Sequence, residues 1–417
     1  MLPRESGREG ELSVNQGDRN ESGPYQNPGQ PYGQPPYQNP GQPYGQPPYQ
    51  NPGQPYGQPP YQNPGQLYGQ PPYYAPQPPS PEMQQKAARS WLRRAGNHAF
   101  LMPILTTVLQ LIIAVMIYFV WAMLNMKRIL PIYRRGGIPG AVKYLTSQTP
   151  ALIALAILSV LLSMVITILI GRPMLGRKIF GAWKRPKWTA SGFAKCLVCA
   201  FGIAGVGELI AYGMEILCKA TGLRLNMPNL NMTGNQTSDI ILIAYICVLG
   251  PLLEETLFRG MILQSLRPWG DKLAIIVSAV LFGLAHLNFF QGIPAVLIGL
   301  LFGFVTVKTG SVVPSSLLHI LYNSLSMAMM ANGIDSNQAL QTGYIIFLAA
   351  AVLVSILLLV LRRFDFSDIS TQPAPSVPAI RHPYRIVFLQ SAAFWVLIAC
   401  FALFSFVLSN SPAGMHM

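Results

Sequence analysis

Three residue pairs, each four positions apart, carry polar side chains into runs of otherwise apolar sequence. The first is Glu255 and Arg259, with Glu254 alongside; the second is Phe282 and His286; the third is His319 and Asn323. A spacing of four sets both members of a pair on one face of a helix. An ionised carboxylate in hydrocarbon costs about 2.5–3.5 kcal/mol even on lenient insertion scales, so two adjacent ones require a cation or a polar cavity. Arg259 supplies the cation for Glu255. Glu254 lies about 100° further round the helix and has no partner within it. An intramembrane carboxylate of that kind marks a functional site by default.

Polar side chains in membrane spans face the interior of the bundle, so the three pairs are expected to converge. A carboxylate and an imidazole that share one water make a general base. A second imidazole and a carboxamide can donate hydrogen bonds to the oxygen of a tetrahedral intermediate. Together they suit hydrolysis of an amide by activated water. The sequence has no Gly-x-Ser-x-Gly motif and no Cys/His nucleophile pair, which disfavours covalent catalysis. Two other readings use the same atoms. Glu254, His286 and His319 are a possible zinc ligand set, although no His-Glu-x-x-His helix is present. Alternatively the pairs serve only as hydrogen-bonding glue between helices.

Glu254-Glu255-Thr-Leu-Phe-Arg259, Phe282-Gly-Leu-Ala-His286 and His319-Ile-Leu-Tyr-Asn323 follow one another in order. They resemble the motifs of the CAAX protease and bacteriocin-processing family, also called the Abi or type II CAAX prenyl endopeptidase family. The resemblance covers about residues 239–330. It implies an all-helical membrane core in which Glu254 and His286 activate water, His319 and Asn323 form the oxyanion site, and Glu255 and Arg259 support them. It further implies an intramembrane glutamate-type endopeptidase that acts on a peptide or protein at the membrane and needs no cofactor. Eukaryotic members cleave prenylated C-terminal tails, and many bacterial members serve peptide maturation or immunity. The alternatives kept beside this are a zinc-dependent membrane protease using Glu254, His286 and His319, and a non-catalytic membrane scaffold or transporter.

The elements that must position these residues are apolar segments. Nine are expected: Phe100–Leu124, Ala151–Ile170, Phe193–Cys218, Ile240–Leu263, Leu273–Phe290, Ile293–Val307, Val312–Ala331, Tyr344–Leu361 and Ile386–Leu408. Residues 293–307 number fifteen, short of the ~17–25 usual for a span. The fold class is therefore an all-α polytopic membrane protein, a bundle of about eight or nine transmembrane helices behind a disordered tail rich in Pro, Gly, Gln and Tyr. Flanking Lys and Arg favour a cytoplasmic N-terminus, six of them lying between Arg172 and Lys187, against the five between Lys127 and Lys143. Localisation is read as a multi-pass protein of a bacterial cell membrane.

Composition divides the chain near residue 85. Residues 1–85 hold three basic and six acidic side chains; the other 332 hold 26 basic and nine acidic. That basic excess lies between apolar runs, as in loops flanking spans, and not on a nucleic-acid-binding face. No nucleic-acid partner is expected; lipid is. Residues 25–72 are four copies of a 12-residue repeat beginning at Tyr25, Tyr37, Tyr49 and Tyr61. Proline and glycine in every copy prevent a packed core, so the tail reads as a disordered spacer or as an arm that docks onto a partner. No secretory signal precedes it. The domain plan is 1–85 tail, 86–238 N-terminal helices, 239–332 catalytic core and 343–409 C-terminal helices.

Other polar candidates carry less. Glu208 and Glu215, seven apart, read as structural or cavity-lining. Five cysteines in or beside apolar spans are no disulfide framework, and Cys196-x-x-Cys199 has no second pair. Asn231 and Asn235 begin sequences of glycosylation form and are treated as chance.

Overall fold

A computed structural model describes residues 79–222, 235–331, 337–364 and 369–410. The repeat tail therefore lies outside the described residues, as does Asn231. The described chain is helical, without strands. We number the helices α1 (Pro81–Leu124), α2 (Met126–Ser147), α3 (Thr149–Leu175), α4 (Ala190–Thr221), α5 (Gln236–Trp269), α6 (Asp271–Leu284), α7 (Phe289–Thr309), α8 (Val313–Ala331), α9 (Gln338–Val360) and α10 (Ala392–Asn410). Among them, α1, α3, α4, α5, α7 and α9 are long and apolar enough to cross a membrane. Each of the nine expected apolar segments falls largely on helical structure.

Their ends differ from the sequence reading in ways that local chemistry explains. Helix α1 starts at Pro81, before the expected tail boundary, because Ser80 caps it by accepting from the Met83 amide and proline suits the first turn. Residues 126–147, expected to be loop, form α2, bent at Gly137, whose φ of 57° breaks the helix. Its five basic residues and two prolines hide it from an apolar search. The expected 273–290 segment stops at Leu284, and Leu287 turns the chain with φ 52°. Asn288 then caps the next helix by accepting from the Phe290 and Gln291 amides. Helix α7 thus has 21 residues, not the fifteen counted from Ile293; polar Gln291 and Gly292 concealed its first turn. The last segment is broken after a π-helical turn at Arg385–Leu389, and α10 begins at Ala392.

The core is drawn from α1, α5, α6 and α7, with Phe100, Leu257, Met261, Leu281, Phe282 and Phe302 all buried. Large apolar side chains elsewhere are exposed, such as Val115 and Phe119 on α1 and Leu353 and Val360 on α9. In a bilayer such faces meet lipid, where a helix is stable because its backbone hydrogen bonds are satisfied internally. Crossings are close where glycine permits. A Cβ on Gly283 would lie 2.5 Å from the Gly292 carbonyl oxygen, so α6 and α7 touch backbone to backbone there.

Candidate active site

Helix α5 is not regular. It widens into π-helical turns at Tyr245–Leu249 and Thr256–Ile262, and these bracket the short α-helical piece Gly250–Glu255. Pro251 accounts for the first: it has no amide hydrogen to donate, and its ring crowds the carbonyl four residues back. The Gly250 amide bonds instead to the Tyr245 carbonyl. π-Turns inside α-helices occur frequently at functional sites. The bracket is held from outside as well. Trp183 Nε1, on the loop after α3, donates to Thr256 Oγ1 at 3.2 Å, and that hydroxyl donates to the Leu252 carbonyl at 2.7 Å.

The two glutamates have different surroundings. Glu255 is sealed, with no side-chain exposure, and its carboxylate lies 3.0 Å from Arg259 Nη1, also fully buried. The guanidinium is further enclosed by aromatic rings, 4.3 Å from the centre of Phe282 and 5.4 Å from that of Phe302. Such rings stabilise a buried cation through their quadrupoles. Arg259 Nη2 also donates to the Gly299 carbonyl at 3.4 Å, and a Cβ on Gly299 would stand 3.2 Å from that nitrogen. Glu254, in contrast, keeps 25% of its side chain exposed.

His319 of α8 faces both carboxylates. Its Nε2 is 3.7 Å from Glu254 and its Nδ1 3.4 Å from Glu255, while its ring packs on Phe302 and Phe282. His286 stands at the end of α6 on the same phenylalanine, with ring centres 5.0 Å apart. Its Nδ1 is 2.8 Å from the Phe282 carbonyl oxygen, which can only accept. Nδ1 is therefore the donor, and in the uncharged tautomer Nε2 is the accepting nitrogen. Asn323, one turn beyond His319, donates through Nδ2 to the Ile246 carbonyl at 2.9 Å, inside the first π-turn. One amide hydrogen of Asn323 remains for another acceptor.

The structure thus gathers Glu254, Glu255, Arg259 and His319 into one cluster, with His286 joined to it through Phe282 and Asn323 through α5. Among the described residues His286 has no hydrogen bond or ion pair to Glu254. Nor do Glu254, His286 and His319 meet as a set of three metal ligands; no such group of His, Cys, Asp or Glu occurs among the described residues. Glu215 pairs with Lys219 on α4 at 2.6 Å.

Residues 236–325 match the family model described as Type II CAAX prenyl endopeptidase Rce1-like. The match covers 90 of the 417 residues, and over that segment the chain is similar to this family. No curated protein and no solved structure matches the chain. The matched segment begins with α5 and ends within α8, so all three motifs fall inside it.

Sequence reasoning missed Gly299, Phe302, Thr256, Trp183 and the Ile246 carbonyl as parts of the site. One signal was available: Gly299-Leu-Leu-Phe-Gly303 has the small-xxx-small spacing of close helix contacts. Backbone acceptors and a tryptophan reaching in from a loop leave no pattern in sequence.

Proposed function

We propose that the protein is an intramembrane endopeptidase in which Glu254 and His286 activate water, while His319 and Asn323 stabilise the oxyanion. The observation that carries this reading is the contrast between two adjacent glutamates. Glu255 is enclosed and neutralised by Arg259, whereas Glu254 is open enough for water to reach. Glu254 takes a proton from water as the oxygen attacks the peptide carbonyl carbon, with Nε2 of His286 as the second base around that water. His319 and the spare Asn323 amide hydrogen donate to the developing oxyanion. The C–N bond then breaks as the proton passes to the leaving nitrogen, giving a carboxylate and an amine. The Arg259–Glu255 pair and the ring of phenylalanines hold His319 in place.

The Rce1-like match makes a C-terminal peptide with a prenylated cysteine the first substrate class to test. Purified protein in lipid nanodiscs is given quenched fluorescent peptides with and without the prenyl group. Cleavage is expected with wild type, absent with Glu254→Gln, and undiminished by strong chelators, since no step is assigned to a metal. Undiminished cleavage by Glu254→Gln would overturn the mechanism. Loss of activity on chelation, with restoration by one zinc per chain, would overturn the water-only reading in favour of a metalloprotease.

A further inference from the structure

At the end of α3 a groove of about 530 Å³ is lined by Leu169, Arg172, Pro173, Gly176, Arg177 and Lys178. Three of the six carry positive charge and none is acidic. Gly176, with φ 61°, reverses the chain so that the Arg177 amide bonds back to the Arg172 carbonyl, bringing the cations to one side. A cation in the last turn, here Arg172, is expected from the helix dipole. Arg177 and Lys178 lie beyond that turn, among the cations that flank the span.

Arg177 differs from the other two in its surroundings. Its Nε is shielded from solvent and has no hydrogen-bond partner among the described residues. Burial, and then the like charge of Arg267, hold its guanidinium below its usual pKa. Arg267 is itself already paired with Asp271 at 2.6 Å. An anion in the groove would offset the local excess of positive charge that Arg172, Arg177 and Lys178 bring to its lining.

The neighbouring surface identifies the kind of anion. Leu158, Leu162, Val165 and Leu169 are spaced four, three and four apart, so they form one stripe along α3. Each is at least 40% exposed. Arg172 follows three residues later on the same stripe. A free phosphate has no use for an apolar stripe; a lipid would lay an acyl chain along it. We infer that this groove binds the phosphodiester headgroup of an anionic phospholipid, with an acyl chain on the Leu158–Leu169 face of α3. Clusters of Lys and Arg immediately beside a membrane span attract anionic headgroups.

The test uses the full chain in neutral detergent, its melting followed against short-chain phosphatidylglycerol, phosphatidylcholine of the same chain length, and inorganic phosphate. Phosphatidylglycerol is expected to raise Tm saturably; the other two are not. In Arg172→Gln/Arg177→Gln/Lys178→Gln the concentration for half-effect should rise about 100-fold, at roughly five-fold per cation. Lys127→Gln/Arg128→Gln, on α2, should leave it unchanged. If the triple variant does not fold, Lys178→Gln alone, an exposed side chain, should shift it about five-fold. An unchanged response in those variants, or an equal response to phosphatidylcholine, overturns the proposal. A response reproduced by inorganic phosphate overturns the lipid assignment.

Discussion

Removing the charge of Glu255 leaves Arg259 as a lone cation among Phe258, Phe282 and Phe302, without access to solvent. Breaking a buried pair from one side costs about 3–5 kcal/mol. Glu255→Gln should therefore lower the melting temperature in detergent strongly, whereas Glu254→Gln, partly exposed and without that partner, should melt close to wild type. Removing both charges in Glu255→Gln/Arg259→Gln should recover much of the loss without restoring cleavage. Equal melting of the two single variants would show that Glu255 is not the architectural member of the pair. At this scale much of the site was legible in sequence, because polar groups inside apolar runs are few and each must have a reason. The ion pair of Glu255 with Arg259 follows from spacing alone. The approach of His319 to both glutamates does not, since it depends on how α8 lies against α5, and no local pattern encodes that.

Helices α5, α6 and α7 position the site through close backbone contact more than through side-chain recognition. Gly299 is the clearest case: a Cβ there would stand 3.1 Å from the Ala279 backbone as well as 3.2 Å from Arg259 Nη2. Overpacking of a tight core costs about 1–3 kcal/mol. Gly299→Ala should lower Tm by that measure and reduce cleavage, because the guanidinium that holds Glu255 is displaced. Gly343→Ala on α9 is the control: its Cβ would meet nothing within 4 Å, so it should be neutral or stabilising by about 0.4–1 kcal/mol. Wild-type melting of Gly299→Ala would show that the crossing has slack. The existence and type of the long helices were readable from apolar runs of membrane length. Their irregularities were not. Pro251 in α5 announces a distortion, but whether proline kinks, breaks or widens a helix depends on its neighbours. Helix α2 escaped notice because it is basic and proline-bearing, which apolar periodicity cannot detect.

For the whole molecule, the repeat region and the helical region differ in what they can bury. Residues 25–72 contain Leu67 as their only aliphatic side chain of any size, so that stretch has almost nothing to contribute to a core. Among the described residues the hydrophobic cluster begins at Leu92 and is completed by residues further along the chain. Helix α1 brings its own cap, Ser80, and its own starting proline, Pro81. The described residues between Ala75 and Met417 belong to one compact unit, which contains every residue of the candidate active site. A chain beginning at Ala75 should therefore insert, elute as a single species from size exclusion, melt within a few degrees of the full-length protein, and cleave the same peptide. A change in turnover at unchanged melting would show that the tail delivers or retains substrate. Loss of the melting transition or aggregation on purification would show instead that stability depends on the first 74 residues, against the assignment of the core to the helices alone.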